Sequence, residues 1–106
     1  MAERRLAFGW SLLMFVKQRP GVFELFDDEG MTIYIEGAAN IRQCLERHLS
    51  KDDSGYVWKK AKVVGCDYRD DYREQEQLML KFHRDIFGTE PICNTLFESK
   101  SPVLDM

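Results

Sequence analysis

Apolar residues occur along the chain in short runs whose spacing changes from two residues to three or four. Residues 22–26 (VFELF) and 31–35 (MTIYI) are rich in the aromatic and β-branched residues that are typical of strands. Between them lie residues 27–30 (DDEG), a turn in which Gly30 is free to adopt a positive φ. The pattern therefore predicts a β-hairpin with a four-residue loop. Strict alternation along the second strand places Ile33 and Ile35 on one face.

Two later segments have the spacing of amphipathic helices. Residues 41–49 follow Asn40, which is a good N-cap, and residues 72–87 precede Gly88, a residue suited to end a helix. Residues 56–66 lie between them and predict a third strand. The order β-β-α-β-α predicts an α+β sandwich with a small, mainly antiparallel sheet.

The chain begins with an apolar run between Leu6 and Val16 (LAFGWSLLMFV). This run is shorter than the roughly 20 residues that span a bilayer, and it lacks the small-residue cleavage site of a signal peptide. We expect a short helix or strand packed on the domain, with a binding surface for a protein partner or a second copy as the alternative. The chain then divides into an N-terminal apolar segment (1–19), a domain (20–94) and a C-terminal tail (95–106).

The composition of the chain restricts the class of protein to which it can belong. The chain has 106 residues, is 44% hydrophobic and carries a net charge of -3, which fits one globular domain and argues against nucleic-acid binding through bulk positive charge. The net charge does not exclude a local basic patch. Cys44, Cys66 and Cys93 are odd in number and form no CxxC pair, so we expect reduced thiols, a cytoplasmic location and no membrane association.

Four short motifs occur in order between residues 19 and 94. They are PGVF (20–23), YIE (34–36), GAANIRQCLERHL (37–49), and EQLML (76–80) followed by Gly88, Pro91 and Asn94. In this order and with the β-β-α-β-α pattern, they resemble the GIY-YIG nuclease superfamily, the small domains of excision-repair incision enzymes and some homing endonucleases. The resemblance implies a GIY-YIG-like sandwich.

The resemblance also implies a metal-dependent nuclease site. One divalent ion, commonly Mg²⁺, would be held by Glu76, or by Glu74 if the helix is shifted by a turn. Tyr34 would help to activate the attacking water, and His48 and Asn94 match the family's His and closing Asn. Such chemistry needs a polarised phosphodiester, a deprotonated water and fixed cations that meet the developing charge.

Three positions depart from the family pattern. Phe23 replaces the first tyrosine, Glu36 replaces the glycine of the second motif, and Cys44 replaces the arginine of the first helix. Loss of one preorganised donor typically lowers the rate by about 10²–10³. We therefore expect a degenerate active site in a domain that binds nucleic acid or a protein partner.

Two alternatives remain open. One is an active divalent-metal-dependent endonuclease with altered catalytic residues, in which Arg42 or Arg47 supplies the missing charge. The other is a protein-protein interaction module without a nuclease role. Basic residues in and after the first helix suggest a substrate-binding face, although dispersed solvated charge explains them equally; the candidates are Arg42, Arg47, Lys51 and Lys59.

Each candidate site residue also has a purely structural interpretation. Phe23 and Tyr34 suit a strand that contributes to a core, and His48 suits the negative end of a helix dipole. Glu76 suits a solvated helix face. Cys44 and His48, one turn apart, make either half a metal site or a buried small residue beside a surface imidazole.

Overall fold

The computed structural model describes residues 4–7, 10–51 and 61–94 of the chain. These residues form a four-stranded antiparallel sheet in the order β1-β4-β2-β3. The strands and helices, in chain order, are β1 (Arg4–Ala7), a 3-10 helix (Trp10–Phe15), β2 (Gly21–Phe26), β3 (Thr32–Ala38), α1 (Ile41–Lys51), β4 (Val63–Tyr68) and α2 (Tyr72–Phe87).

The α+β class is therefore as predicted, and local signals placed most elements well. Asn40 caps α1, because its side-chain oxygen accepts a hydrogen bond from the backbone N–H of Gln43 at 3.0 Å. Gly88 ends α2 with a φ of 82° and donates its N–H to the carbonyl of Arg84. The predicted third strand begins later, at Val63, and its predicted residues 56–60 lie outside the described residues.

The two helices pack on opposite faces of the sheet. Phe23 belongs to the larger apolar cluster, which includes residues of α1, whereas its neighbour Val22 packs with Leu80 of α2. Alternate residues of a strand point to opposite faces, so β2 separates the two cores.

The hairpin contains a β-bulge that overturns one expectation. The register between β2 and β3 shifts after Leu25, which pairs with Tyr34, so that Ile33 is the extra residue. Ile33 consequently packs in the same cluster as Tyr34, and Ile35 packs in the cluster on the other face. The prediction that the two isoleucines share a face is wrong, because a bulge breaks the period of two.

The N-terminal apolar run is partly used in the fold. β1 extends the sheet by pairing with β4, and Leu13 and Val16 are buried in the larger cluster. Met14 and Phe15 are 77% and 60% exposed. These two large side chains are available for contact with a protein partner or a second copy. An interface through this run stays a prediction. No described helix has the length and apolar character needed to cross a lipid bilayer.

Candidate functional site

Strands β2 and β3 and helix α1 bring four of the predicted site residues together. The Tyr34 ring centroid lies 6.0 Å from that of Phe23 and 5.5 Å from that of His48. Cys44 lies one turn before His48 on α1, which places both on the side facing the sheet. Two residues from different strands and two from one helix thus form a single cluster.

Glu36 lies at the centre of this cluster. One of its carboxylate oxygens accepts a hydrogen bond from the Tyr34 hydroxyl at 2.7 Å, and His48 Nε2 lies 2.7 Å from the same oxygen. A carboxylate only accepts hydrogen bonds, so Nε2 carries the proton in this arrangement. Glu36 faces Phe23 across the β2–β3 pair, which explains why a residue in this register reaches the α1 face.

These contacts determine the protonation states of Glu36 and Tyr34. Burial raises the pKa of Glu36, but hydrogen bonds from His48 and Tyr34 outweigh it and hold that pKa below its ordinary value. Burial raises the pKa of Tyr34, and the Glu36 carboxylate raises it further. Glu36 is therefore ionised at neutral pH, and the Tyr34 hydroxyl keeps its proton, so this tyrosine is a poor base for activating water.

Cys44 is a buried thiol next to Glu36. Burial and the Glu36 charge raise its pKa to about 12, although the nearby Arg47 guanidinium acts in the opposite direction. The free thiol is therefore protonated and is not poised as a nucleophile. Arg47, three residues further along α1, lies within hydrogen-bond reach of the Cys44 thiol, the position where the resemblance expects an arginine. Arg42 lies two positions before Cys44 and is half-buried.

Glu76 approaches β3 from the opposite face of the sheet. Its carboxylate accepts a hydrogen bond from the backbone N–H of Gly37. A Cβ at Gly37 would lie 2.9 Å from the carbonyl of Tyr72, so glycine is what allows α2 to lie this close. Burial raises the pKa of Glu76, and the charge of Glu36 adds to the effect.

The side chain of Asn94 forms hydrogen bonds with the backbone of β3. Its side-chain oxygen accepts a hydrogen bond from the N–H of Ile35 at 2.8 Å, and its side-chain nitrogen donates to the Ile35 carbonyl at 2.8 Å. Ile35 lies between Tyr34 and Glu36, so Asn94 holds the strand that carries the cluster. The Lys59 candidate and the side chain of Lys51 lie outside the described residues.

The residue that sequence reasoning missed is Glu36. The sequence suggested only a departure from a glycine motif, and it gave no sign that this carboxylate is the shared acceptor for Tyr34 and His48. The available signal was the Tyr-x-Glu spacing, which puts both side chains on one face of a strand.

The ligand set of this cluster does not fit the Mg²⁺ that the resemblance implies. Within the described parts of the chain, one group offers three ligand atoms that all lie within 4.8 Å of one another: Glu36, Cys44 and His48. It presents one oxygen, one sulfur and one nitrogen, whereas Mg²⁺ prefers oxygen ligands in octahedral geometry. Glu76 supplies a carboxylate from the other face, and its role as a Mg²⁺ ligand stays a prediction.

A second surface feature lies along α2. Leu78, Phe82 and Ile86 recur every four residues and are 61%, 66% and 56% exposed. With Phe87 they line a groove of about 550 Å³ between α2 and the hairpin, and Glu24 contributes to its opposite wall. A continuous apolar surface of this kind is unusual unless another molecule covers it.

No family model matches the chain, and no curated protein matches it significantly.

Proposed function

We propose that this chain is a nuclease-like domain of the GIY-YIG type that does not cleave nucleic acid and that binds a protein partner through α2. The order β2-β3-α1-β4-α2 supports the first part, because it is the β-β-α-β-α order of the resemblance. The juxtaposition of Phe23, Tyr34, Cys44 and His48 around one point also supports it, because these are the positions of the family's motifs.

The position of Glu36 is the observation that argues against cleavage. A phosphodiester at this site would meet a carboxylate that already binds Tyr34 and His48. Like charges repel more strongly in partly buried surroundings than at an open surface, because solvent screens them less there. Phe23 stands where the family pattern has its first tyrosine, and Tyr34 keeps its proton, so neither position supplies a phenolate that could activate water.

We expect no cleavage when the purified protein is incubated with branched, single-stranded or duplex DNA and millimolar Mg²⁺ or Mn²⁺. Product formation is measured on denaturing gels, beside the Glu76→Ala variant. Cleavage by the wild type that disappears in Glu76→Ala would overturn this part of the proposal and would favour the active-endonuclease alternative. Trace cleavage that is equal in both proteins identifies a contaminating nuclease.

The α2 groove favours a protein over nucleic acid as the partner. Its walls are mostly apolar, and the fully charged residue that lines it, Glu24, is negative. Phosphates would be repelled there, since nucleic-acid binding depends on Lys and Arg. The complementary ligand is an amphipathic protein segment that packs apolar side chains against Phe82 and places a Lys or Arg near Glu24.

Two helical peptides test this partner class. They share one leucine-rich face and differ in their flanking charges, Lys in one and Glu in the other. We expect the Lys peptide to bind more tightly by fluorescence anisotropy, and Glu24→Gln to reduce the difference. Phe82→Ser should weaken binding by at least about tenfold, which is the effect of losing one aromatic anchor.

Phe15→Ser is the matched control, because Phe15 is 60% exposed but lies on the 3-10 helix. Equal binding of both peptides, or an equal effect of both serine variants, would contradict the assignment of the groove. Duplex DNA is the third probe. Binding of DNA, and of neither peptide, would reassign the domain to nucleic acid.

A further inference from the structure

The cluster around Glu36 combines three kinds of metal ligand. Glu36 comes from β3, and Cys44 and His48 come from adjacent turns of α1, so the three ligand atoms converge from two elements. The atoms lie within 4.8 Å of one another although the residues span twelve positions of sequence. We propose that Glu36, Cys44 and His48 form a binding site for Zn²⁺.

The donor set selects the metal. Zn²⁺ is a borderline-soft ion that binds thiolate, imidazole and carboxylate at about 2.3, 2.0 and 2.0 Å. Thiolate disfavours Mg²⁺ and Ca²⁺, which prefer hard oxygen ligands. The proposed site is therefore different in both metal and ligands from the Mg²⁺ site that the resemblance implies at Glu76, and it does not depend on the proposed function.

The spacing of the Glu36 and His48 ligand atoms needs only a small adjustment to admit the ion, and Cys44 Sγ lies within 4.8 Å of both. Two light ligand atoms around a tetrahedral Zn²⁺ are about 3.3 Å apart. Glu36 and His48 are now 2.7 Å apart, joined by a hydrogen bond that the ion would replace. Their side chains are 28% and 21% exposed, so each has room to rotate by the required few tenths of an ångström.

Proton release balances the binding step. The Cys44 thiol loses its proton to solvent when sulfur binds the ion, and the charges of thiolate and carboxylate then neutralise the two charges of Zn²⁺. Metal binding at His48 Nε2 displaces the proton that Nε2 shares with Glu36. If the imidazole is charged, the Nε2 proton goes to solvent and the Nδ1 proton stays. If the imidazole is neutral, its single proton is carried on Nδ1 once the metal occupies Nε2. Affinity therefore rises with pH.

Neighbouring side chains supply an outer shell. The Tyr34 hydroxyl donates to Glu36, and the Arg47 guanidinium lies near Cys44, where it can stabilise a thiolate. Three protein ligands leave the fourth tetrahedral position to water, which is the arrangement of zinc sites that are open to a ligand. The negative charge of Glu76, close enough to influence Glu36, adds to the attraction for a cation.

Cobalt substitution tests the proposal directly. Full-length protein is treated with a chelator, kept reduced with a phosphine, and titrated with Co²⁺. We expect one equivalent to bind with the near-ultraviolet sulfur-to-cobalt charge-transfer band and the intense visible bands of tetrahedral Co²⁺. One equivalent of Zn²⁺ should abolish the spectrum, and a hundredfold excess of Mg²⁺ should leave it unchanged.

Four variants locate the site. Cys44→Ala should remove the charge-transfer band, and Cys66→Ala should retain it; both thiols are 1% exposed, so the pair is matched for burial. His48→Gln should weaken Zn²⁺ binding by more than the roughly 10–100-fold effect of losing an outer-shell partner, and Tyr34→Phe by an amount within that range. Far-ultraviolet circular dichroism confirms that each variant is folded.

A wild-type protein that binds Co²⁺ without the sulfur band, or that binds no Co²⁺, would overturn the proposal. So would a band that survives in Cys44→Ala.

Discussion

Replacing Asn94 with Asp should lower the free energy of unfolding at neutral pH by about 3 kcal/mol or more, which corresponds to a fall in Tm of at least about 12 °C. The side chain of Asn94 bonds both the N–H and the carbonyl of Ile35. Aspartate can still accept from the N–H, but its second oxygen would face the carbonyl with no proton between them. Thermal and urea unfolding at pH 7 measure the loss.

The size of this effect follows from the position of Ile35 in the sheet. Among the strands that the structure describes, β3 lies at the edge of the sheet, so none of them pairs with the outward backbone groups of Ile35. Asn94 takes the place of that neighbour, because an amide has a donor and an acceptor in the same spacing as a peptide group. Each buried polar group that loses its partner costs about 1–3 kcal/mol.

Acidification should partly rescue the Asn94→Asp variant. A carboxyl facing the Ile35 carbonyl is stabilised in its protonated form, so its pKa in the folded protein lies above that in the unfolded chain. Its cost is then present at neutral pH and declines as the pH falls through the folded pKa. Asn40→Asp is the control, since an aspartate at this N-cap keeps the acceptor role and should change stability little. A similar loss in both variants would contradict the edge-strand explanation.

Replacing Glu36 with Ala should destabilise the domain by about 2–3 kcal/mol, which is the effect of removing a charged acceptor from two partly buried donors. The Tyr34 hydroxyl and His48 Nε2 both lie 2.7 Å from the same Glu36 oxygen and lose it together. Denaturant unfolding at pH 7 gives the magnitude. Glu36→Gln should cost only about 1 kcal/mol, because an amide can accept from Tyr34 and donate to an imidazole nitrogen.

The pH dependence separates charge from shape at Glu36. Its pKa in the folded protein lies below the ordinary value of 4.5. The stabilisation that this difference provides is therefore complete at neutral pH, and it is lost as the pH falls below about 4.5 and through the lower folded value. Glu36→Gln should flatten this part of the stability curve, and Glu46→Gln, at an exposed position of α1, should leave it unchanged. An unaltered slope in Glu36→Gln would show that the carboxylate is not ionised as described.

Asn94 and the proposed zinc site both contact β3, Asn94 through the strand's backbone and the metal through the Glu36 side chain. Asn94 fixes the backbone between Tyr34 and Glu36, and those two residues present their side chains to α1. Loss of Asn94 should therefore also weaken metal binding, whereas loss of Glu36 removes one ligand and leaves the edge hydrogen bonds intact.

Local chemistry explains why much of the fold could be predicted from the sequence. Gly30, with a φ of 82°, permits the hairpin turn, Asn40 begins α1, and Gly88 ends α2 at the predicted residue. Each of these signals acts within four residues of its effect, so it can be recognised without knowing what packs against it. The pairing of Cys44 with His48 follows from the helical period, whereas the grouping of Tyr34 with them is expected only because of the family resemblance.

Other features depend on residues that are distant in sequence. The pairing of β1 with β4 joins the two halves of the chain, and no pattern in an apolar run reveals its partner. The bulge at Ile33 adjusts one strand to the register of another and breaks the alternation on which face assignments depend. Asn94 is singled out in the sequence as a match to the family's closing Asn, but its hydrogen bonds to the backbone of Ile35 are visible only in the fold.

From Gly21 onward the sequence by itself determined the element types, their order and the turns and caps, because these depend on backbone preferences and on neighbours within a few residues. Only the tertiary structure decided that Glu36 is the shared acceptor of Tyr34 and His48, that Glu76 approaches β3 from the other face, and that the apolar stripe of α2 is exposed within the described part of the chain. The physical reason is that charge, burial and metal-binding capacity belong to a group of atoms in space, and the same residues acquire them only when strands and helices from distant segments meet.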